Sequence, residues 1–497
     1  MKNQANDINT TINNGTIDTT NNNVIVDESN VIINGVLTIN EDAEGVKGTP
    51  IYIVDGVLTI PEGVTAINAF VFYGYEFVEE VSLPEGLTSI GRCAFKGCTA
   101  LKKVHFPESL TEIEDGAFID CSSLTKVQLP ASVTRIGEGA FWGCTALTDV
   151  VLPEGVTTLE ESTFECCTAL RSVQLPKGLT TIGSKCFQNT ALRAVQLPAS
   201  VTSIGRSAFA HSDLIEVSLP EGLTNLGTCA FYGTSLKEVN IPGTVREWGK
   251  EVFSALPLKK VVFSNELKSI GESAFRECTS LTEVQLPASL TRISRTAFWG
   301  CKKLNQLSLP EGVTEIGEYA FAYTAIKEVK LPVGLTQIDA GLFAGTAIRQ
   351  ITIPEGVTAI GKSAFEDCAA LEEVSLPAGL TQIGGSAFAD TALKSVQLPA
   401  SVTSIEARAF ADTRIKEVTI PEGCKALGNG AFEGCACLKK INLPEGLTSI
   451  GRWAFVRCIS LAEINIPSSV SYIGMGAFMG CTVCRDISVC HDWQTTE

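Results

Sequence analysis

Histidine occurs only three times in 497 residues. So few imidazoles leave little material for a His-based catalytic centre or metal site. Positive charge is also scarce, with 38 Lys and Arg against 55 Asp and Glu and a formal net charge of -17. Binding to nucleic acid starts from a basic face that releases counterions, so the composition argues against such a partner. An anionic membrane surface is disfavoured for the same reason, and no apolar run approaches the ~18 residues of a membrane span. The opening residues, MKNQANDINTTINNGTIDTTNNN, lack the apolar centre of a Sec signal peptide, and the closing HDWQTTE carries no lipidation or retention signal. The expectation is a soluble chain, either cytoplasmic or exported by a specialised route. Nucleophile-elbow, zinc-protease and dinucleotide motifs are absent. The sequence therefore nominates no active site and no cofactor.

What is there is one phrase repeated. A Pro preceded by Leu or Ile, or by Phe at Phe106-Pro107, closes a short apolar stretch at Pro61, Pro84, Pro107 and onward to Pro467, with Ser264 in the one place where the Pro is lost. Taken as marks, these positions number 19, spaced by 22 or 23 residues, and Phe stands eleven residues past every one, from Phe72 to Phe478. The unit reads L-x-x-V-x-L-P-x-G-L-T-x-I-G-x-x-A-F-x-x-C-x-x. Its opening, as in LTKVQL at 124–129, alternates apolar and polar residues and predicts a short strand with one buried face. Proline cannot donate to a ladder and ends that strand. The I-G-x-x-A-F stretch is expected to turn back as a 3-10 or single α turn, with Ala and Phe inward. One such coil cannot bury its own apolar side, but stacked coils can.

The expected fold is a leucine-rich-repeat solenoid, a right-handed β/α superhelix of about 19 coils. One long parallel sheet should line its concave face, with short turns on the other side, over roughly 90 Å at ~4.8 Å per strand. The expected divisions are an Asn/Thr-rich disordered tail over 1–30, an N-terminal β cap over 31–60, repeats over 61–489 and a C-terminal tail over 490–497. The cap rests on G-V-L-T-I, found at 35–39 and again at 56–60. The coil over 242–264 is irregular: Trp248 replaces the usual Ile and Pro257 is added. It reads either as a tolerated change or as a hinge.

Every full 23-residue unit after the first carries Cys fourteen residues past its mark, from Cys98, Cys121, Cys144 and Cys167 to Cys481. One slot per coil favours a ladder of buried thiols over disulfides or metal. At the C-terminus, Cys481, Cys484, Cys490 and His491 have a spacing that suits zinc. Packing as an end cap is the other reading, because Cys481 holds the ladder slot and Cys484 the strand's Leu slot.

Two outward columns flank the buried strand residue. Two residues before the mark stand amides and hydroxyls, among them Gln174, Gln196 and Gln285; four before it stand Glu216, Glu238, Glu283, Glu328 and Glu373, interspersed with Lys103, Lys126, Lys260 and Lys440. The named Gln and Glu residues are the candidate partner contacts, as a mainly acidic stripe that would select a basic surface. A plain solvated face is the competing reading. Neither column holds an aromatic residue, whereas binding hot spots favour Trp, Tyr and Arg. Tyr73, Trp142, Tyr232 and Trp299 share a different slot, one past the Phe and on the outer side, so either surface could bind.

The succession of L-P, I, A-F, C and L-x-x-V/I resembles the BspA-like leucine-rich repeats from about residue 61 to 489. The resemblance implies a curved solenoid with strands on its concave side. It also implies non-enzymatic binding of another protein, in cell adhesion or contact with host surface and matrix glycoproteins. Members often carry a signal peptide or surface anchor, neither of which this sequence shows. The alternatives are an intracellular scaffold or secreted effector with a protein partner and, more remotely, an enzyme without a recognisable site. The sequence leaves the oligomeric state open.

Overall fold

The computed structural model describes residues 51–482, and before them the backbone of short strands at Thr11–Ile12, Gly15–Thr16, Val24–Asp27, Asn30–Ile33 and Val36–Ile39. Cys484, Cys490 and His491 lie outside the described residues, and with them the zinc or end-cap question. The chain divides into two compact units, Met1–Pro220 and Glu221–Glu497.

The first unit starts as an antiparallel meander. Val24–Asp27, Asn30–Ile33, Val36–Ile39, Ile51–Val54 and Val57–Thr59 pair in chain order. Val57–Thr59 then pairs in parallel with Glu80–Ser82, and the direction stays parallel from there. The meander begins at Val24, ahead of the boundary expected at residue 31.

The coils contribute strands to two columns rather than one, all but two of them to both. The first column precedes the mark, as at Lys126–Gln128, Asp149–Val151 and Ser172–Gln174. The second, built by the L-T-x-I stretch, holds two residues per coil, as at Ser89–Ile90, Glu112–Ile113 and Arg135–Ile136. Its Thr residues form their own ladder: Thr88 Oγ1 donates to Thr65 O at 3.0 Å and Thr111 Oγ1 to Thr88 O at 3.0 Å. Stacking is close at the Gly that often follows the Ile, since a Cβ on Gly91 would stand 2.6 Å from Ile67 O, although Glu114, Glu160 and Glu406 take the same slot in other coils.

The first column is not one long sheet. In the first unit it falls into segments, with breaks after Lys103–His105 and after Ser172–Gln174. In the second unit, residues 327–330 and 394–398 form no strand and join no ladder.

The return arm also differs from expectation, because among the described residues no α- or 3-10 element forms over I-G-x-x-A-F. Two residues of every arm, nine and thirteen past the mark, have left-handed φ, for example Cys93 (52°) and Gly97 (77°), or Ser162 (56°) and Cys166 (60°). A right-handed helix cannot pass through them. Alternate amides bond instead to the next coil: Gly139 N to Glu161 O at 2.8 Å, Phe141 N to Thr163 O at 2.9 Å and Gly143 N to Glu165 O at 2.9 Å. The amides between them close i to i−3 turns, such as Trp142 N to Gly139 O at 3.0 Å. Repeated turns thus satisfy the arm backbone and stitch the coils together.

Two ladders run through the core beside the buried Leu, Ile and Val of the coils. In the first unit the rings of Phe72, Phe95, Phe118, Phe141, Phe164, Phe187 and Phe209 stack with centroids 5.1 to 5.6 Å apart. A matching stack runs from Phe231 to Phe478 in the second. Beside it lie the thiols of the repeated Cys slot, which donate to the Phe carbonyl one coil back: Cys121 Sγ to Phe95 O at 3.2 Å, Cys144 Sγ to Phe118 O at 3.3 Å and Cys167 Sγ to Phe141 O at 3.1 Å. In coils shortened by one residue a hydroxyl three residues past the Phe replaces the thiol, as with Thr190 Oγ1 to Phe187 O at 2.9 Å and Ser212 Oγ to Phe209 O at 2.7 Å. The thiol thus fills the carbonyl of the coil before it and the hydroxyl that of its own coil, and Phe410 O receives both, from Thr413 at 3.0 Å and from Cys435 at 3.1 Å.

The contribution of such a buried bond can be measured. Thr190 is buried, and Thr190→Val keeps its shape while removing the donor. We expect a loss of about 1 kcal/mol in urea denaturation. Thr180→Val, which removes an exposed hydroxyl bonded to Thr157 O at 3.0 Å, should change little because water replaces it. Equal effects from the two substitutions would refute the buried-carbonyl account.

Candidate functional site: the strand face

The first strand column carries a regular outward face. In Glu283–Gln285 the outer residues are exposed and Val284 between them is buried; Glu216–Ser218 and Glu373–Ser375 likewise project both outer residues. All eight candidate contacts are exposed: Gln174, Gln196 and Glu216 in the first unit, and Glu238, Glu283, Gln285, Glu328 and Glu373 in the second. The alternation places them there, since successive side chains of a strand point to opposite faces. Glu328 is exposed but belongs to the unladdered segment 327–330.

Register shows which of them are neighbours. Glu283 sits beside Gln306, and Gln285 beside Ser308. Gln350 sits beside Glu373. Glu238 faces Lys260, and Lys440 stands between Glu417 and Glu463. Opposite charges on adjacent strands offset one another, so the expected acidic stripe is a broken one. The −2 column is broken too, by Val151 in the first unit and Val262 in the second, both exposed.

At the start of the repeats the face holds a small charge cluster. Glu80 Oε1 accepts from His105 Nε2 at 2.5 Å and lies 3.4 Å from Lys103 Nζ. The His105 hydrogen bond, with help from Lys103, holds the Glu80 carboxyl below its usual range. In the second unit a groove of about 490 Å³ opens where residues 394–398 leave the ladder, lined by Gln397, Glu417, Val418, Thr419 and Asn442 among others. It is shallow and mixed in character, the kind of surface that accepts a side chain.

The opposite arm face holds residues that the sequence reading passed over. Tyr319, Tyr323, Asp367 and Asp390 occupy the left-handed arm slots. A signal for the tyrosines was available, because each is followed in the next coil by Gly at the same slot, Gly341 and Gly345, over which its ring lies.

A model of the BspA-type leucine-rich repeat region matches residues 65–191, 134–257, 249–372 and 358–485. The chain belongs to this family. The BspA-type solenoid is typically a non-enzymatic protein-binding scaffold. Among solved structures, a leucine-rich repeat protein from Bacteroides ovatus is 23% identical over 91% of this chain and 97% of its own, with a TM-score of 0.52. A leucine-rich cell surface protein from Faecalibacterium prausnitzii is 25% identical over 86% of this chain and 96% of its own, with a TM-score of 0.35. YopM from Yersinia enterocolitica is 18% identical over 80% and 84%, with a TM-score of 0.39. The first of these supports the solenoid fold. No curated protein matches the chain. No helix among the described residues is long and apolar enough to cross a membrane.

Proposed function

We propose that this BspA-type repeat protein binds another protein through its exposed strand face, in adhesion or contact with a host surface or matrix glycoprotein. The carrying observation is the regular projection of two side chains per strand over a buried middle residue, as in Glu283, Val284 and Gln285. A rigid ladder presents such residues with little ordering cost on binding. Contacts summed over several coils give affinity without a single deep pocket. The acidic members favour a partner with basic patches, in keeping with the net charge of -17.

The test uses the immobilised full chain against a panel of purified matrix glycoproteins at physiological and high salt. The variant E238K/E283K/E328K should weaken the bound partner about tenfold or more. Because all three residues are exposed, each change should alter stability by no more than about 0.5 kcal/mol. Native-like binding by the triple variant would remove the strand face as the contact. Silence across the panel would remove the matrix-glycoprotein reading.

A further inference from the structure

The strand face lacks aromatic anchors, but the arm face of the second unit has them. The guanidinium of Arg276 lies 4.7 Å from the ring centroid of Trp299, and Trp299 meets Tyr323 edge-on at 5.6 Å. Tyr319 and Tyr323 lie down over the glycines of the next coil: a Cβ on Gly341 would stand 2.0 Å from Tyr319 Cε1, and one on Gly345 2.5 Å from Tyr323 Cδ1. The backs of both rings are thereby supported, and Tyr323 remains 43% exposed.

The same arm slot continues through Gly345 to Asp367, Asp390 and Asp412. Asp412 is paired with Arg408 at 3.3 Å. Among the described residues, no Lys or Arg comes within ion-pair distance of Asp367 or Asp390, and both are exposed. Burial pushes the Tyr323 hydroxyl up, and Asp367 and Glu366 push it further, so the aromatic group and the carboxylates share one field. Asp390 is likewise raised, by burial and then by Asp412 and Asp367. A cation arriving here would relieve repulsion between carboxylates as well as gain a π face.

We propose that this arm face is a docking surface for a cationic segment of a partner protein, with Tyr319 and Tyr323 taking a guanidinium and Asp367 and Asp390 the charges that follow. Arg276 on Trp299 shows the same chemistry within the chain. From Tyr323 to Asp390 is three coils, about 14 Å, the reach of about four extended residues. A short Arg-rich stretch therefore spans the site. Arginine is favoured over lysine because its planar group stacks on the ring. This inference does not rest on the strand-face reading, and its test separates the two.

The probe is a fluorescently labelled octa-arginine peptide, titrated with the full chain and read by anisotropy, with octa-lysine in parallel. The variant Y323A/D367N/D390N removes one ring and two charges. Ala255 occupies the same left-handed slot at φ 60°, so alanine fits there. The control E283Q/E373Q removes two charges from the strand face. The expected result is about tenfold weaker octa-arginine binding for the arm variant, a change under about twofold for the control, and tighter native binding of octa-arginine than of octa-lysine. Native-like binding by the arm variant would overturn the proposal. Equal weakening by the two variants would also overturn it, because binding would then follow net charge alone.

Discussion

Phe141→Ala is expected to cost about 3–5 kcal/mol. The ring is fully buried and stacked on Phe118 at 5.4 Å and on Phe164 at 5.6 Å. Its neighbours cannot close the gap. The backbone on either side is fixed by bonds from Phe141 N to Thr163 O and from Phe118 N to Ala140 O. The void therefore persists, and both adjoining rings lose a stacking partner. Each coil of a solenoid depends chiefly on its two neighbours, so one missing ring weakens two coil interfaces. The comparison is Tyr73→Ala, an aromatic truncation at a side chain 52% exposed, for which a change within about 0.5 kcal/mol is expected. Urea denaturation followed by circular dichroism measures both. A loss below about 1 kcal/mol for Phe141→Ala would mean that the ladder fills space without holding the coils together.

That ladder was the most legible part of the sequence, because a fixed slot repeated 19 times leaves few places for a large apolar ring except inside. The first strand column was legible for a similar reason: Lys126, Val127 and Gln128 alternate, and only one of the two faces can be buried. The second column escaped because Glu112–Ile113 and its equivalents are two residues long, too short for a period of two to show. The arm was misread for a different reason. A-F with an apolar residue three positions on looks helical, and the left-handed residues that forbid a helix are often not glycine: Lys185, His211, Tyr323 and Arg457 all hold positive φ. Their strain is accepted because alternate arm amides are committed to the next coil, a constraint that no single repeat displays. On the candidate site, exposure followed from alternation, but charge pattern did not. The acidic column reads as a stripe when its Glu residues are gathered, and as a broken one when register sets Lys260 beside Glu238.

The ladder thiols give the protein a steep alkaline limit. Burial is the largest cause of a raised thiol pKa at Cys98 and Cys278, both pushed up to about 12, and at Cys368 and Cys435, both to about 11. Burial raises Cys121, Cys167 and Cys301 as well. A thiol in the unfolded chain titrates near 9.0. Below that pH both states keep the proton and stability is complete. Above it the unfolded chain releases protons that the folded chain retains, so stability falls with rising pH until the folded values near 11 to 12 are reached. Each such thiol contributes a slope of about 1.4 kcal/mol per pH unit inside this window. Several acting together exceed the whole stability of an ordinary domain within two units, since that is only about 5–15 kcal/mol. Under reducing conditions the urea midpoint should therefore hold up to about pH 9 and collapse before pH 11, while native thiolate absorbance stays low until the chain opens. Cys144→Ala with Cys167→Ala should make the collapse shallower, despite the packing lost at two coils. A midpoint that stays flat from pH 8 to 10.5, or native thiolates that appear near pH 9, would show that the thiols titrate as if in water. The ladder could not then be the sealed core that its hydrogen bonds to the Phe carbonyls describe.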